Sequence, residues 1–270
     1  MDLDRYRIAR GASVSLADRP TDEDGGLDKD TARDRLQDNV GANRDLQERL
    51  YAEGEQSLLV VLQAMDAGGK DSTTEKVFGP LNPQGVRVSS FKAPTAEEKA
   101  HDFLWRVHKK APRAGMIRVF NRSHYEDVLI VRVRGWAAPE VVERRYDHIR
   151  HFEAVLEDAG TKVVKVMLNI SRDYQLERFR RRLRRPDKHW KFNPGDLEER
   201  KLWDDYMRAF EIALERTSTE ASPWYVVPAE TRWYRDLVVS QIVREALEGL
   251  APQYPEPEFN PADYPPESLS

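Results

Sequence analysis

The run Leu58-Leu-Val-Val-Leu-Gln-Ala-Met-Asp-Ala-Gly-Gly-Lys70 constrains the fold of this chain more than any other stretch. The unbroken apolar residues from Leu58 predict a strand over 58–63 that is buried on both faces, as in a parallel sheet. A glycine-rich turn follows, ends in Gly69-Lys70, and leads into a segment, 70–78, that reads as helix. A strand, a glycine-rich loop and a lysine at the start of a helix together form a phosphate cradle. The backbone N–H groups converge on the anion and the lysine adds a point charge. The full pattern, G-x-x-x-x-G-K-[ST], is broken at both ends, because Ala64 replaces the first glycine and Asp71 the final hydroxyl residue. The loop Ala67-Gly68-Gly69 also follows an acid, Asp66. A carboxylate beside phosphates repels them unless a cation lies between, so Asp66 predicts Mg²⁺, with Mn²⁺ as its substitute. Asp71, standing where a hydroxyl would help hold the metal, fits a relocated metal site.

Downstream, strands and helices alternate. Strands are expected at 86–91, 116–120, 163–170 and 224–227. Helices are expected at 95–108, where Thr95-Ala-Glu-Glu98 is a capping box, and at 139–158, 171–184, 197–217 and 234–250. Upstream, 27–52 favours helix and carries a loose apolar stripe of Leu36, Val40, Leu46 and Leu50. The order predicts an α/β fold: three layers, α/β/α, around a central, mostly parallel sheet of about five strands, with right-handed crossovers. The 270 residues show no internal repeat and no long linker, so a single domain is expected. It comprises an N-terminal extension and helix (1–56), a core (57–250) with a helical lid at about 178–196, and a proline-rich extended tail (251–270). Ligands in such sheets sit at the carboxyl ends of the strands, where the 64–70 loop falls.

Two further segments carry chemistry. Phe120-Asn-Arg-Ser-His-Tyr-Glu-Asp127 follows the third strand. A nucleotide-hydrolysing protein would end that strand in a metal-holding Asp. Here it ends in Asn121, followed by Arg122, whose guanidinium fork matches phosphate oxygens. Glu126 and Asp127 are nearby acids, and Asp127 is a second candidate metal ligand beside Asp66. Ser123-His124 is set aside as a nucleophile and base, since adjacent residues rarely face each other and no G-x-S-x-G elbow is present. The other segment, 178–191, holds eight Arg or Lys and one Asp in a chain of net charge −4. Leu176, Phe179 and Leu183 can pack down at helical spacing, which crowds the arginines on the opposite face. Crowded like charges cost stability unless a polyanion compensates. Aromatic interleaving is limited to Phe179 and Trp190, so a base-stacking platform for nucleic acid is weakly supported and a flexible phosphate polymer suits the strip better. Read alone, each segment has an ordinary alternative: a chance Gly-Lys turn, a polar loop, a solvated basic face.

Composition narrows the classes. The chain has no cysteine, which excludes disulfides, thiolate metal sites and cysteine nucleophiles and fits a reducing cytoplasm. No signal peptide and no apolar run of membrane-spanning length is present, so no membrane partner is expected. The six histidines give no metal-ligand spacing.

Taken together, the internal Asp of the degenerate loop, the Asn-Arg-Ser after the third strand and the arginine-rich segment resemble the family-2 polyphosphate kinases. The segments Gln63–Asp71, Asn82-Pro-Gln-Gly-Val86, Ala100-His-Asp-Phe-Leu-Trp105, Phe120–Val128 and Lys188-His-Trp-Lys-Phe-Asn-Pro-Gly-Asp196 carry the likeness, which runs over nearly the whole chain. The resemblance implies a kinase-like phosphate-loop fold that moves phosphate between inorganic polyphosphate and AMP, ADP and ATP, with no nucleic acid involved. It implies catalytic roles for Asp66, Lys70 and Arg122. Nucleotide or phosphate contacts would fall to Ala67, Gly68, Gly69, Asp71, Asn121 and Glu126, and a lid over the phosphates to Arg181, Arg182, Lys188 and Lys191. Asn121 with Glu126 looks like the branch that acts on both nucleoside mono- and diphosphates, and the family suggests a homodimer or homotetramer. Two other classes fit parts of the sequence. A kinase with a nucleoside triphosphate donor leaves the arginine density unexplained, and a non-enzymatic polyanion-binding protein leaves Asp66 unexplained.

Overall fold

The computed structural model describes residues 1–268. Its centre is a six-stranded sheet formed by β1 (Arg7–Ile8), β2 (Ser57–Ala64), β3 (Val86–Ser89), β4 (Ile117–Asn121), β5 (Thr161–Asn169) and β6 (Trp224–Pro228). The strand order is β1-β6-β5-β2-β4-β3, parallel throughout except for the antiparallel pairing of β1 with β6. All eight residues of β2 are buried, as the apolar run predicts. Its register places Val60 between Val119 of β4 and Val164 of β5. After β2 the chain crosses to the edge strand β3, returns to β4 beside β2, and then passes to the other side of β2 for β5 and β6. The carboxyl end of β2 is therefore the point where strand order reverses, the place in an open α/β sheet where a crevice forms.

Helices cover both faces. The helix Arg232–Leu250 lies on β5 and β6, and Lys29–Glu53 packs along it. Pro139–Asp158 lies on β5, with Trp203–Thr217 beside it. Helix starts follow local chemistry. Asp28 accepts from the backbone N–H groups of Asp30 and Thr31, Ser171 accepts from that of Tyr174, and the Thr95/Glu98 capping box forms in both directions.

Several elements depart from expectation. A sixth strand, β1, is present; two residues are too few to show a period, and its pairing with β6 alone defines it. The helix expected at 95–108 is two single turns, Ala96–Lys99 and Trp105–His108, because Asp102 accepts from the N–H groups of Leu104 and Trp105 and restarts the chain. The helix expected at 197–217 is likewise split at Leu202 into Gly195–Lys201 and Trp203–Thr217. In Lys29–Glu53 the buried stripe is largely polar: Asn39, Asn43 and Gln47 are buried, whereas Leu36, Val40 and Leu46 are only partly covered. The amide N–H groups of Asn39, Asn43 and Gln47 donate to Ser240 Oγ, the Ser240 carbonyl and the Asn82 carbonyl in turn. In the arginine-rich helix Arg172–Arg184, Phe179 is buried but Leu183 is 52% exposed, so the apolar stripe stops one turn short. The tail is not extended to its end, as short 3₁₀ turns form at Pro261–Asp263 and Pro266–Ser268. Among the described residues no helix is long and apolar enough to cross a membrane.

Candidate active site

The loop after β2 turns in a compact way that its glycines permit. Gly69 has φ +103°, a region closed to most side chains, and Ala67 takes φ +65°. A Cβ on Gly68 would stand 2.7 Å from that of Ala64, so the loop doubles back on the strand end. The Thr73 N–H then reaches the Gly69 carbonyl at 2.9 Å and opens the helix Lys70–Thr73. A π-helical turn, Thr74–Phe78, completes the segment expected as regular helix. Lys70 is 8% exposed and folds over the strand end, with Nζ donating to the carbonyl of Ala64 at 2.7 Å and of Met65 at 3.4 Å. Burial pushes its ammonium pKa down, while Asp66 works against that shift.

β4 delivers the second group. The Arg122 N–H continues the ladder to the Leu62 carbonyl at 3.2 Å, and Arg122 itself turns into the left-handed region at φ +63°. A non-glycine residue held there is strained, and here the strain aims a guanidinium across the loop: Arg122 Nη2 donates to Asp66 Oδ1 at 2.5 Å. Asn121 Nδ2 donates to Asp71 Oδ1 at 2.7 Å, and Lys191 Nζ stands 4.0 Å from Asp71 Oδ2. Glu126 lies behind Arg122 and Lys70. Burial raises its pKa, opposed by those two cations.

Residues from the stretch 178–196 form the third side. Together with the loop they enclose a cleft of about 480 Å³. Nine Lys and Arg side chains line it, including Lys70, Arg122, Arg181, Arg182, Lys188 and Lys191, against three Asp: Asp66, Asp71 and Asp196. A water-filled cavity with that imbalance concentrates polyanions. The carboxyl of Asp196 is pushed up to about 6 by burial and then by the charge of Asp66, against the pull of Arg182, Arg122 and Lys70.

The structure thus brings together the loop residues Asp66 to Asp71, Asn121, Arg122 and the lid cations. It does not bring Asp127 to the cleft. That carboxylate faces away, 3.6 Å from both Arg106 and Arg145, so it is not placed to share a metal with Asp66. Ser123 and His124 are also withdrawn: His124 is fully buried against Glu153, and Ser123 Oγ accepts from Gln63 and from the Tyr125 N–H. Among the described residues no group of three or more His, Cys, Asp or Glu side chains is arranged to hold a metal. Asp66, Asp71 and Asp196 give the cleft carboxylate oxygens, the donor type that Mg²⁺ takes.

Three site residues escaped the sequence reading, and a fourth, Arg178, entered it only as the start of the basic strip. Gln175 Nε2, on the lid helix, donates to the Asp66 carbonyl at 2.9 Å and couples lid to loop. Arg178 and Arg232 line the cleft, the latter just beyond the carboxyl end of β6, where the topology rule could have placed it. Asp196 opens the helix Gly195–Lys201, with no sequence pattern to mark it.

Residues 26–255 match the family model described as polyphosphate kinase 2. An AMP/ADP-polyphosphate phosphotransferase of Meiothermus ruber is 58% identical over 213 residues, covering 79% of this chain and 80% of that protein. An ADP-polyphosphate phosphotransferase of Rhodopseudomonas palustris is 43% identical over 269 residues, covering 93% and 92%. Among solved structures, polyphosphate kinase 2 from Arthrobacter aurescens superposes with a TM-score of 0.92 at 48% identity, covering 96% of this chain and 93% of that one.

Proposed function

The chain belongs to the polyphosphate kinase 2 family, and from that premise we propose that it transfers phosphate from inorganic polyphosphate to AMP and ADP, giving ADP and ATP, and runs the reverse transfer as well. The observation that carries this reading is the cleft itself. A phosphate loop, a strand-end arginine and a lid of cations converge on one volume wide enough for two phosphate-bearing substrates.

In the forward step a terminal phosphate oxygen of the nucleotide attacks the terminal phosphorus of the polyphosphate. The new P–O bond forms as the bond between that phosphorus and the oxygen bridging it to the next phosphate breaks, and the polymer leaves one unit shorter. The attacking oxygen is already ionised at neutral pH, so no general base is needed, which fits a cleft with no histidine among its lining residues. Catalysis then rests on alignment and on neutralising charge over the transferred group. The loop N–H groups and Lys70 would hold the phosphates, with Lys70 exchanging its carbonyl partners for phosphate oxygens. Arg122 would follow the charge as it shifts to the leaving oxygen. Arg181, Arg182, Lys188 and Lys191 would hold the rest of the polymer. Mg²⁺, or Mn²⁺ in its place, would be held by Asp66, with Asp71 and Asp196 on the neighbouring walls; it would neutralise and draw together the oxygens of the two substrates. Burial, and after it the charge of Asp66, raises the pKa of Asp196, so a cation held there would offset part of the cost of its ionised form.

The reading includes assembly as a homodimer or homotetramer, supported by the open edge of β3, where Val88 is 51% exposed. It places the protein in the cytoplasm, where the nucleotide substrates are. The test is to incubate the protein with Mg²⁺, polyphosphate and AMP or ADP and follow the nucleotides, with Lys70→Ala as control. Products in the wild type and their loss in the control are expected. No nucleotide product, or full activity in the control, overturns the reading.

A further inference from the structure

Beneath the phosphate loop lies a buried ion pair that the proposed chemistry does not use. Arg235 and Asp236 are consecutive residues near the start of the helix Arg232–Leu250, 1% and 6% exposed. Neighbours in sequence on a helix do not ordinarily face each other. Here Arg235 Nε and Nη2 both donate to Asp236 Oδ1, at 2.9 and 2.7 Å. The rest of the guanidinium is turned to the loop. Nη2 donates to Ser72 Oγ at 3.0 Å, and Ser72 Oγ donates in turn to the Gly69 carbonyl at 2.9 Å. A Cβ on Gly69 would collide with Arg235 Nη1 and lie 3.0 Å from Cζ. The absence of a side chain at residue 69 is what lets the guanidinium lie flat against the loop. Thr73 Oγ1 donates to Asp236 Oδ1 at 3.3 Å, so the same pair also holds the first helical turn.

We propose that Arg235 is a positioning residue for phosphoryl transfer: through Ser72 and Gly69 it fixes the phosphate loop from behind, with its positive end toward the loop and Asp236 behind it. The energetics favour this over a packing role. A buried ion pair is commonly no more stable than apolar residues of the same volume, so stability alone does not account for it. What the pair adds is direction. A planar fork locked by Asp236 holds the Ser72 hydroxyl, and that hydroxyl shares the Gly69 carbonyl with the Thr73 N–H, which fixes the peptide where the loop turns into the helix. Preorganised N–H donors on a loop fixed in this way act on the transferring phosphate more than on the distant units of the polymer, which the lid holds.

The proposal rests on the phosphotransferase reading, and wild-type turnover in the same assay tests that reading separately. The experiment replaces both partners, Arg235→Met with Asp236→Leu, so that no lone charge stays buried. The expected result is a melting temperature at or above that of the wild type, a kcat about 10- to 100-fold lower, and a KM for long polyphosphate changed by less than about threefold. Arg235→Lys, which keeps the charge and a donor toward Ser72, should recover part of kcat. A double variant that turns over at the wild-type rate, or Arg235→Met faster than Arg235→Lys, overturns the proposal. Should the Arg235 variants not fold, Ser72→Ala decides it. This half-buried residue can lose its hydroxyl without unfolding the chain, and a kcat about 3- to 10-fold lower with an unmoved melting temperature is expected. An unchanged kcat in Ser72→Ala overturns the proposal.

Discussion

Arg122 Nη2 and Asp66 Oδ1 are 2.5 Å apart, so the strand-end arginine and the loop carboxylate are each other's partner across the floor of the cleft. Each would have to exchange that partner for substrate or metal during the proposed reaction. Arg122→Ala should lower kcat by on the order of 10³, as losing a guanidinium at a transferring phosphoryl group does. Asp66→Ala should be comparably inactive. Because the two act as a unit, the double variant should lose little more than the worse single one. A steady-state double-mutant cycle measures this, and strictly additive losses would show that the pair does not work together.

Lys70 is buried and its ammonium is held by two backbone carbonyls. That environment is costly for a cation unless an anion is to be met there. Lys70→Ala should therefore cost on the order of 10²–10³ in kcat and little stability, because relief of the buried charge offsets the lost hydrogen bonds. Paired activity and thermal-melting measurements check it. A melting point lowered by more than about 5 °C would point to a mainly structural lysine.

Asp196 gives the pH dependence a sign. Its folded pKa of about 6 lies above the ordinary carboxyl value of 3.8. The folded state therefore binds the proton more tightly than the unfolded state. Stability contributed at this residue is present below about pH 4, falls as the pH rises toward 6, and is flat above that. Asp196→Asn should accordingly melt higher than the wild type above pH 6, with the difference shrinking to nothing near pH 4. A difference that grows as the pH falls would reverse the assignment.

How far the sequence revealed this molecule follows from where each signal lies. The β2 run and the loop after it were legible because burial on both faces leaves an uninterrupted apolar segment and the tight turn demands glycine. Arg122 was legible from its place after a strand. Asp196, Gln175 and Arg235 were not, because they reach the site from distant segments and have no local pattern; only the packing of the helices Gly195–Lys201, Arg172–Arg184 and Arg232–Leu250 on the loop defines them. Asp127 misled for the converse reason. It is near Arg122 in sequence, yet the 3₁₀ turn His124–Asp127 sends it to the opposite side, between Arg106 and Arg145. The buried amides of Lys29–Glu53 were hidden too, since polar residues read as surface until their partners on Arg232–Leu250 and at Asn82 are seen.

The lid cations allow a prediction about substrate length. Arg181 is exposed and Lys188 is partly so, and both line the cleft. Their charge can act on polymer units that precede the transferred one, through interactions that salt screens over roughly 8–10 Å. Arg181→Ala with Lys188→Ala should raise KM for long polyphosphate by about tenfold at low salt while kcat at saturation changes by less than about threefold, the mark of binding common to ground and transition states. The effect should shrink with triphosphate as donor, which is too short to span the lid. It should shrink again at high ionic strength, because the variant has fewer condensed ions to displace and its affinity falls less steeply with salt. The melting temperature should stay within about 2 °C, since neither side chain supports the core. Donor-length series at two salt concentrations measure all of this. An equal loss with short and long donors would place these cations at the transferring phosphate and not along the polymer.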